Sequence, residues 1–511
     1  MTIVDASMYS AGQSQTAQGK TAQGQTSKTA SIIRPGRNAW REAVTSRAAF
    51  LVDGAEYYQR LAQVLAKAEK SIFIVGWDFN PHIRLTPEED GSPTLGEILR
   101  AQVEAHEGLI VRILVWGMGP IYSGKSFKLF QKTGWNDHPR IKLEFDFRHP
   151  VRASHHQKMV AVDDAVAFLG GIDLTARRWD DRRHAIPNAL RCSPDGTCYG
   201  PVHDLQAILA GDGAVLVGDA ARKRWKRATG EVLNADPGNA ESLWPQDLAP
   251  SLTDCPVALA LTEPLLWNGK RGRREAVQLT HDALRAARRH IYLESQYLAS
   301  FTVARTLAER LQEPDGPEIV ILVTRESHGL LEKLMMGHNR NRLIRRLKRL
   351  DRYNRLRVYY AVTRDGEGKE TEIIVHSKLV VIDNRFVRIG SSNLNNRSEG
   401  LDTESDIAFE PTTDEGRRAL TALRDDLIAE HLEASPADIS ASIAETGSLI
   451  RTIEQFNSRP RGLRPFVIAS NGETESLIGT SLADPRRPFW PFRQLKVGTR
   501  WALSRLTRSF T

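Results

Sequence analysis

The stretch VRASHHQKMVAVDDAVAFLGGIDLTARRWD, residues 151–180, decides how the rest of the chain is read. Within it, His156, Lys158 and Asp163 stand in the spacing H-x-K-x-x-x-x-D. The same spacing returns at His376, Lys378 and Asp383, in VHSKLVVIDNRFVRIGSSNLNNRS. Each copy runs into a Gly or Ser turn and then a polar residue. These are Gly170, Gly171 and Asp173 in the first copy, and Gly390, Ser391, Ser392 and Asn393 in the second. Two matching cassettes in one chain point to one site built from two related halves.

Each cassette places its chemical groups at the start of a strand. His156 and Lys158 alternate with Gln157, and His376 and Lys378 alternate with Ser377. A period of two puts both members of each pair on one face. Histidine serves as nucleophile, acid or base near neutral pH. Lysine supplies a compact charge for a phosphate oxygen. Asp163 and Asp383 are expected to orient a histidine or balance local charge. Ser391, Ser392 and Asn393 offer donors to phosphoryl oxygens. Asp173, at the comparable place in the first half, is an acceptor that fixes a ligand or a histidine. A lone histidine or lysine would pass as ordinary packing; a duplicated set does not.

The segments around the cassettes set the fold class. Residues 71–77, SIFIVGW, 111–117, VRILVWG, and 141–147, IKLEFDF, read as strands, with helices expected over 52–70 and within 92–108. KMVAVD and AVAFLGG read as two short strands around a turn at Asp163 and Asp164, and 204–228 as a helix. The second half repeats this plan. A helix over 275–290 is followed by strands in IYLESQYL, EIVILVT and LRVYYAV, with a very basic helix over 329–352. TEIIVHSKLVVID and RFVRIGS complete it, and helices follow over 411–432 and 437–455. The alternation predicts an α/β protein of duplicated halves, with mixed sheets flanked by helices. The expected divisions are a disordered tail over 1–35, an N-terminal half over 36–230 and a connection over 231–262. A C-terminal half over 263–455 and an arm or cap over 456–511 complete the chain.

Bulk properties bound the partners. The 511 residues can bury a substantial core, and 41% hydrophobic with 26% charged content fits a globular chain. A net charge of +8 favours anionic partners without separating nucleic acid from an anionic membrane surface. No apolar stretch approaches the length that crosses a bilayer. The N-terminus shows no basic start, apolar core and cleavage site of a secretory signal. A cytoplasmic or peripheral membrane location is therefore expected, with export by a route that needs no such signal left open. Cys192, Cys198 and Cys255 make no disulfide framework and no zinc-type spacing. Cys192 and Cys198 either close a small loop or stand as free thiols.

These residues resemble the phospholipase D superfamily, which is defined by paired H-x-K-x-x-x-x-D motifs. HHQKMVAVDDAVAFLGGIDLTARRWD resembles the first catalytic region of its eukaryotic-type phosphatidylcholine-hydrolysing branch. SIFIVGWDFNPHIRL resembles that branch's opening strand and loop. PVHDLQAILAGDGAVLVGD resembles its post-motif segment, with His203 and Asp204 in the pattern. IYLESQYL resembles the stretch before the second half, with Glu294 and Gln296 at matching positions. The likeness covers 65–480, and no accessory lipid-binding domain is recognisable. Asp406, in ESDIAFE, stands where the family usually shows glutamate, and Cys192 to Tyr199 forms a local elaboration.

The resemblance implies a pseudo-twofold active-site cleft and a two-step phosphodiester transfer. His156 would attack phosphorus to form a phosphohistidine, and His376 would protonate the leaving alcohol and then activate water or another alcohol. Lys158, Lys378 and Asn393 would stabilise the phosphorus-centred charge. Asp173, Ser391, Glu294, Gln296 and Asp406 would bind phosphate or support the site. The route needs no metal or other cofactor for the chemistry, and calcium activation stays open. Partners would be a phospholipid membrane surface and a water or alcohol acceptor, in preference to nucleic acid, and the protein itself is expected to be a monomer. Trp77, Trp116 and Trp179 are candidates for contact with headgroup or membrane, since a quaternary ammonium favours aromatic faces. The implied activity is phospholipase D hydrolysis of the distal phosphodiester, with transphosphatidylation as a side route. Cardiolipin-type phosphatidyl transfer, nuclease action and an inactive membrane-binding scaffold are the competing readings.

Overall fold

The computed structural model describes residues 30–122, 134–265, 272–325, 330–469, 471–474 and 484–485, with backbone alone at 330–336. The first 29 residues of the expected tail lie outside these residues. So do Arg487, Phe489, Trp490 and Phe492 of the arm, and the side chains of Met335 and Met336.

The strands are apolar at nearly every position because both faces of the sheet are covered. In Ser71–Gly76, Ile72 and Ile74 enter the first half's outer core, while Phe73 and Val75 enter a core shared by both halves. In His290–Ser295, Ile291 and Leu293 enter the second half's outer core and Tyr292 the shared one. Amphipathic helices close the outer faces. Asp53–Leu65 buries Tyr57, Tyr58, Leu61 and Val64. Leu95–Ala105 begins in a capping box, with Thr94 and Glu97 each accepting the other's backbone N–H.

Hydrogen bonding sets the strand neighbours. The first half runs Ile141–Asp146, Ile110–Trp116, Ser71–Gly76, Met159–Val162, Val166–Gly170, Leu205–Gly211, Arg41–Val52. The second runs Leu356–Arg364, Glu318–Val323, His290–Ser295, Lys378–Ile382, Phe386–Gly390, Glu404–Phe409, Leu252–Glu263. The two orders match strand for strand, including which pairs are parallel. They meet where Arg41–Val52 pairs antiparallel with Leu252–Glu263. The expected duplicated α/β architecture is therefore present, and each cassette leads into the same strand of its own half.

Some local readings change. The helix expected over 204–228 is a buried strand, Leu205–Gly211, followed by the helix Asp212–Thr229. Leucine and alanine there carry helix propensity, but the position between two strands overrides it. Gly211, at φ +69°, makes the sharp turn from strand into helix. The expected connection over 231–262 supplies Leu252–Glu263, the strand at the seam between halves. The helix expected over 437–455 is two helices, Pro436–Thr446 and Leu449–Phe456, parted at Gly447.

The basic helix is Leu330–Leu350. Leu343, Ile344 and Leu347 are buried. Much of its charge is spent on the chain that follows the second half: Lys348 donates to the Phe466 carbonyl, Arg345 to the Ala469 carbonyl, and Arg342 pairs with Glu473. Cys192 and Cys198 are disulfide-bonded, closing a small loop, and Cys255 is a buried thiol. Among the described residues no helix is long and apolar enough to cross a membrane.

Candidate active site

Each cassette histidine sits just before its central strand and is tied by its backbone to the other half. His156 N–H donates to the Thr403 carbonyl at 2.9 Å, and His376 N–H donates to the His203 carbonyl at 2.8 Å. The residues after those carbonyls are Glu404 and Asp204. Glu404 Oε2 lies 3.0 Å from His156 Nδ1, and Asp204 Oδ2 lies 2.6 Å from His376 Nδ1. The pairing is thus crossed. The first half's histidine is oriented by the second half's carboxylate, and the reverse holds for the other.

The ring tautomers follow from these contacts. His156 Nδ1 is also 3.0 Å from the Ser391 carbonyl oxygen. A carbonyl only accepts, so Nδ1 carries the hydrogen and Nε2 the lone pair. Burial, with the charges of Lys158 and Lys378, holds His156 well below the ordinary histidine pKa. Burial pushes Glu404 up to about 8, with the Asp402 charge acting the same way. At His376, burial and Lys378 also hold the ring well below its ordinary pKa. Its partner differs: burial would raise Asp204, but His376 and Lys378 hold it below its usual value, so it is an ionised acceptor for Nδ1–H.

The two lysines are not equivalent. Lys158 Nζ donates to the His156 carbonyl at 2.9 Å and lies 3.1 Å from Asp173 Oδ2. Lys378 Nζ donates to the His376 carbonyl and lies 3.2 Å from His376 Nδ1. At the position equivalent to Asp173 stands Asn393, a neutral amide whose buried Oδ1 accepts no hydrogen bond among the described residues. Burial pushes Lys378 down to about 7, and Lys158 and Arg178 add to this against the pull of Asp204.

Other expected site residues support these groups from behind. Asp173 accepts Trp77 N–H at 2.8 Å, and Ser391 Oγ donates to Glu404 Oε2 at 2.6 Å. Asp406 accepts Ser392 N–H at 3.0 Å and braces the turn after the second cassette. Glu294 is fully buried and accepts from His203 Nε2 at 3.0 Å and Ser377 Oγ at 2.7 Å. A cavity of 1290 Å³ opens beside His376, lined among others by Trp77, Asp78, Arg178, Asp195 and Gln296. Trp77 packs on Trp116 with ring centroids 5.5 Å apart, and Trp116 Nε1–H donates to His149. Trp179 is buried in the first half's outer core and borders an adjoining cavity of 350 Å³.

Two comparisons decide the family. The family model described as phospholipase D matches residues 64–234. That described as cardiolipin synthase, PLD-like domain, matches residues 281–415. Together they span both cassettes and both crossed carboxylates. The chain belongs to the phospholipase D superfamily. Phospholipase D A of Dictyostelium discoideum is 22% identical over 429 residues, covering 70% of this chain and 32% of that protein. Phospholipase D2 of Bos taurus is 33% identical over 150 residues, covering 27% of this chain and 15% of that one. Phospholipase D alpha 4 of Arabidopsis thaliana is 22% identical, covering 83% of this chain and 69% of that one. The chain therefore spans about a third or less of the first two relatives' length. Phosphatidylserine synthase of Haemophilus influenzae shares the fold, at 14% identity and a TM-score of 0.53 over 80% of this chain and 95% of that one.

One expected role in this superfamily signature changes. Asp163 and Asp383 end the cassette strands, at the opposite end from the histidines. Asp163 accepts the N–H groups of Glu69, Lys70 and Ser71 at 2.7–2.9 Å. Asp383 accepts those of Arg288, Arg289 and His290 at 2.8–2.9 Å. Both have positive φ, +51° and +52°, which a short polar side chain tolerates. They fix the start of the neighbouring strand and orient neither histidine. Asp163→Ala is expected to cost about 1–3 kcal/mol by stripping acceptors from backbone donors. It should lower the thermal midpoint while leaving the specific activity of the folded fraction near wild type. A collapse of turnover in fully folded Asp163→Ala would refute this assignment.

Proposed function

We propose that this chain is a phospholipase D-type enzyme that cleaves the distal phosphodiester of a phospholipid through a phosphohistidine. The observation that carries the proposal is the crossed pairing of His156 with Glu404 and His376 with Asp204. It leaves each ring's Nε2 as the reacting atom. The asymmetry between the pairs supports a division of labour. His156 keeps its lone pair on Nε2, because the Ser391 carbonyl holds the hydrogen on Nδ1 while Glu404, with its pKa at about 8, stays neutral at neutral pH. His376 faces an ionised Asp204, whose charge pulls toward the imidazolium that a general acid must be, against burial and Lys378, which hold the ring below its ordinary pKa.

The steps then balance. His156 Nε2 forms a bond to phosphorus, the bond from phosphorus to the headgroup oxygen breaks, and His376 Nε2 gives its proton to that oxygen. A water, or a second alcohol, next loses a proton to His376 Nε2 and attacks phosphorus. The phosphorus–nitrogen bond breaks and phosphatidic acid, or an exchanged lipid, leaves. Lys158, Lys378 and the Asn393 amide stabilise the charge on the phosphoryl oxygens. The chain's own residues supply every proton transfer in this scheme.

The cavity beside His376 is larger than a headgroup alone needs, since drug-sized ligands occupy about 300–1,000 Å³. It suits a phospholipid whose headgroup and glycerol portion enter together. The Trp77 face with the Asp78 and Asp195 carboxylates favours a cationic alcohol such as choline. The test is a headgroup-resolved panel of phospholipid vesicles, with a nucleic-acid substrate at low salt as a second arm. Choline release from wild type, abolished in His156→Ala and in His376→Ala, is the expected result. Undiminished release by both variants would sink the mechanism, and cleavage confined to nucleic acid would sink the substrate class.

A pH profile follows from Lys378. Its charge is present below about 7 and lost above it. His156 gains a proton only well below the ordinary histidine range. Because His376 must carry a proton as general acid and its pKa is held well below the ordinary histidine value, the expected kcat/KM falls with rising pH already below neutrality, and falls again through about 7 as Lys378 loses its charge. A profile still rising above neutrality would show that the Lys378 charge does not serve the reaction.

A further inference from the structure

Behind His376 lies a second group of titratable side chains that the proposed reaction does not use. Asp53, His184, His203 and Glu430 bring one ligand atom each to within 4.8 Å of one another, all buried. His203 Nδ1 is 3.0 Å from Asp53 Oδ1 and 3.0 Å from Glu430 Oε1. His184 Nε2 is 3.2 Å from the same Glu430 oxygen and 3.5 Å from Asp53 Oδ2. The two edges that meet at Glu430 Oε1 and the edge from His203 Nδ1 to Asp53 Oδ1 are close to that of a tetrahedron about a small ion, about 3.3 Å for ligands at 2.0–2.1 Å.

Two features point to a cation rather than to hydrogen bonds alone. First, the acceptors outnumber the donors. One Nδ1–H of His203 faces two carboxylate oxygens at equal distance, and Asp53 Oδ2, fully buried, accepts no hydrogen bond among the described residues. Secondly, the outer nitrogen of each ring is already bound to another carboxylate. His184 Nδ1 is 2.8 Å from Asp180, and His203 Nε2 is 3.0 Å from Glu294. A carboxylate behind a histidine is the usual second contact of a metal-bound imidazole.

We propose that Asp53, His184, His203 and Glu430 form a buried site for one divalent transition-metal ion of the zinc class. Two imidazoles and two carboxylates suit such an ion and not calcium, which takes six to eight oxygens. The ion touches no substrate. Its place is to fix His203, whose carbonyl receives His376 N–H, and Asp53, whose backbone N–H donates to the Asp204 carbonyl at 2.9 Å. It would thus be a positioning element for His376 and its carboxylate.

The test is elemental analysis of the full chain, expressed in zinc-supplemented medium and dialysed against chelator. About one equivalent per chain is expected, released only on unfolding because the site is sealed. Glu430→Gln should lose the metal and lower the thermal midpoint, whereas His376→Asn should keep both. Zinc-edge absorption of the wild type needs no variant and should report nitrogen and oxygen ligands without sulfur. Less than a tenth of an equivalent of any first-row metal in the wild type overturns the proposal. So does a sulfur ligand, or undiminished metal in Glu430→Gln. None of these readouts depends on which phosphodiester the enzyme cleaves.

Discussion

His376→Asn is expected to lower turnover of phospholipid by about 10⁴-fold or more, because it removes both the proton donor and the later base. The same variant should still react once with a phosphodiester whose leaving group is p-nitrophenolate. That group departs without a proton, so His156 can attack unaided. The adduct then persists, since no base activates water. His156→Asn should show neither turnover nor adduct. Intact-protein mass spectrometry reads the outcome directly, as a mass gain of one phosphoryl-ester group in His376→Asn alone. An adduct in His156→Asn and none in His376→Asn would reverse the two roles.

The second large effect concerns the crossed carboxylates. Asp204→Asn presents an amide to His376 Nδ1, where the ionised carboxylate now stands 2.6 Å away. Both the tautomer and the stability of the imidazolium are lost, and kcat is expected to fall on the order of 10³–10⁴-fold. Glu404→Gln should cost less, on the order of tenfold to a hundredfold. The Ser391 carbonyl still accepts the Nδ1–H of His156 and keeps the lone pair on Nε2. Comparable losses in the two variants, at unchanged thermal midpoints, would show that the Ser391 carbonyl does not hold the tautomer.

Much of this arrangement is legible in the chain. The cassette spacing, the apolar strand runs and the repeated order of elements reflect local periodicity, and local periodicity survives in sequence. Leu205–Gly211 did not announce itself because alanine and leucine suit helix and buried strand alike. Asp163 and Asp383 belong to the motif by spacing, yet their work is to satisfy backbone N–H groups some ninety residues upstream. No spacing rule reports such a partner. Asp204 lies in a recognisable segment and Glu404 two residues before Asp406, but their targets sit in the opposite half. Of the three tryptophans considered for headgroup contact, Trp77 lines the cavity beside His376, while Trp179 faces another. Asp53, His184, His203 and Glu430 are scattered over most of the chain. Only the tertiary fold brings them together.

The crossed pairing has a bearing on inheritance. A polypeptide carrying one cassette would hold a histidine without its carboxylate and a carboxylate without its histidine. It could act only by docking on a second copy, and dilution would extinguish it. Joining two copies through the Arg41–Val52 and Leu252–Glu263 seam makes the encounter intramolecular and concentration-independent. It also frees the copies to diverge in paired positions: Asp204 against Glu404, and Asp173 against Asn393. A symmetric dimer must change both sites at once, whereas a fused one can specialise each side of a single phosphorus atom.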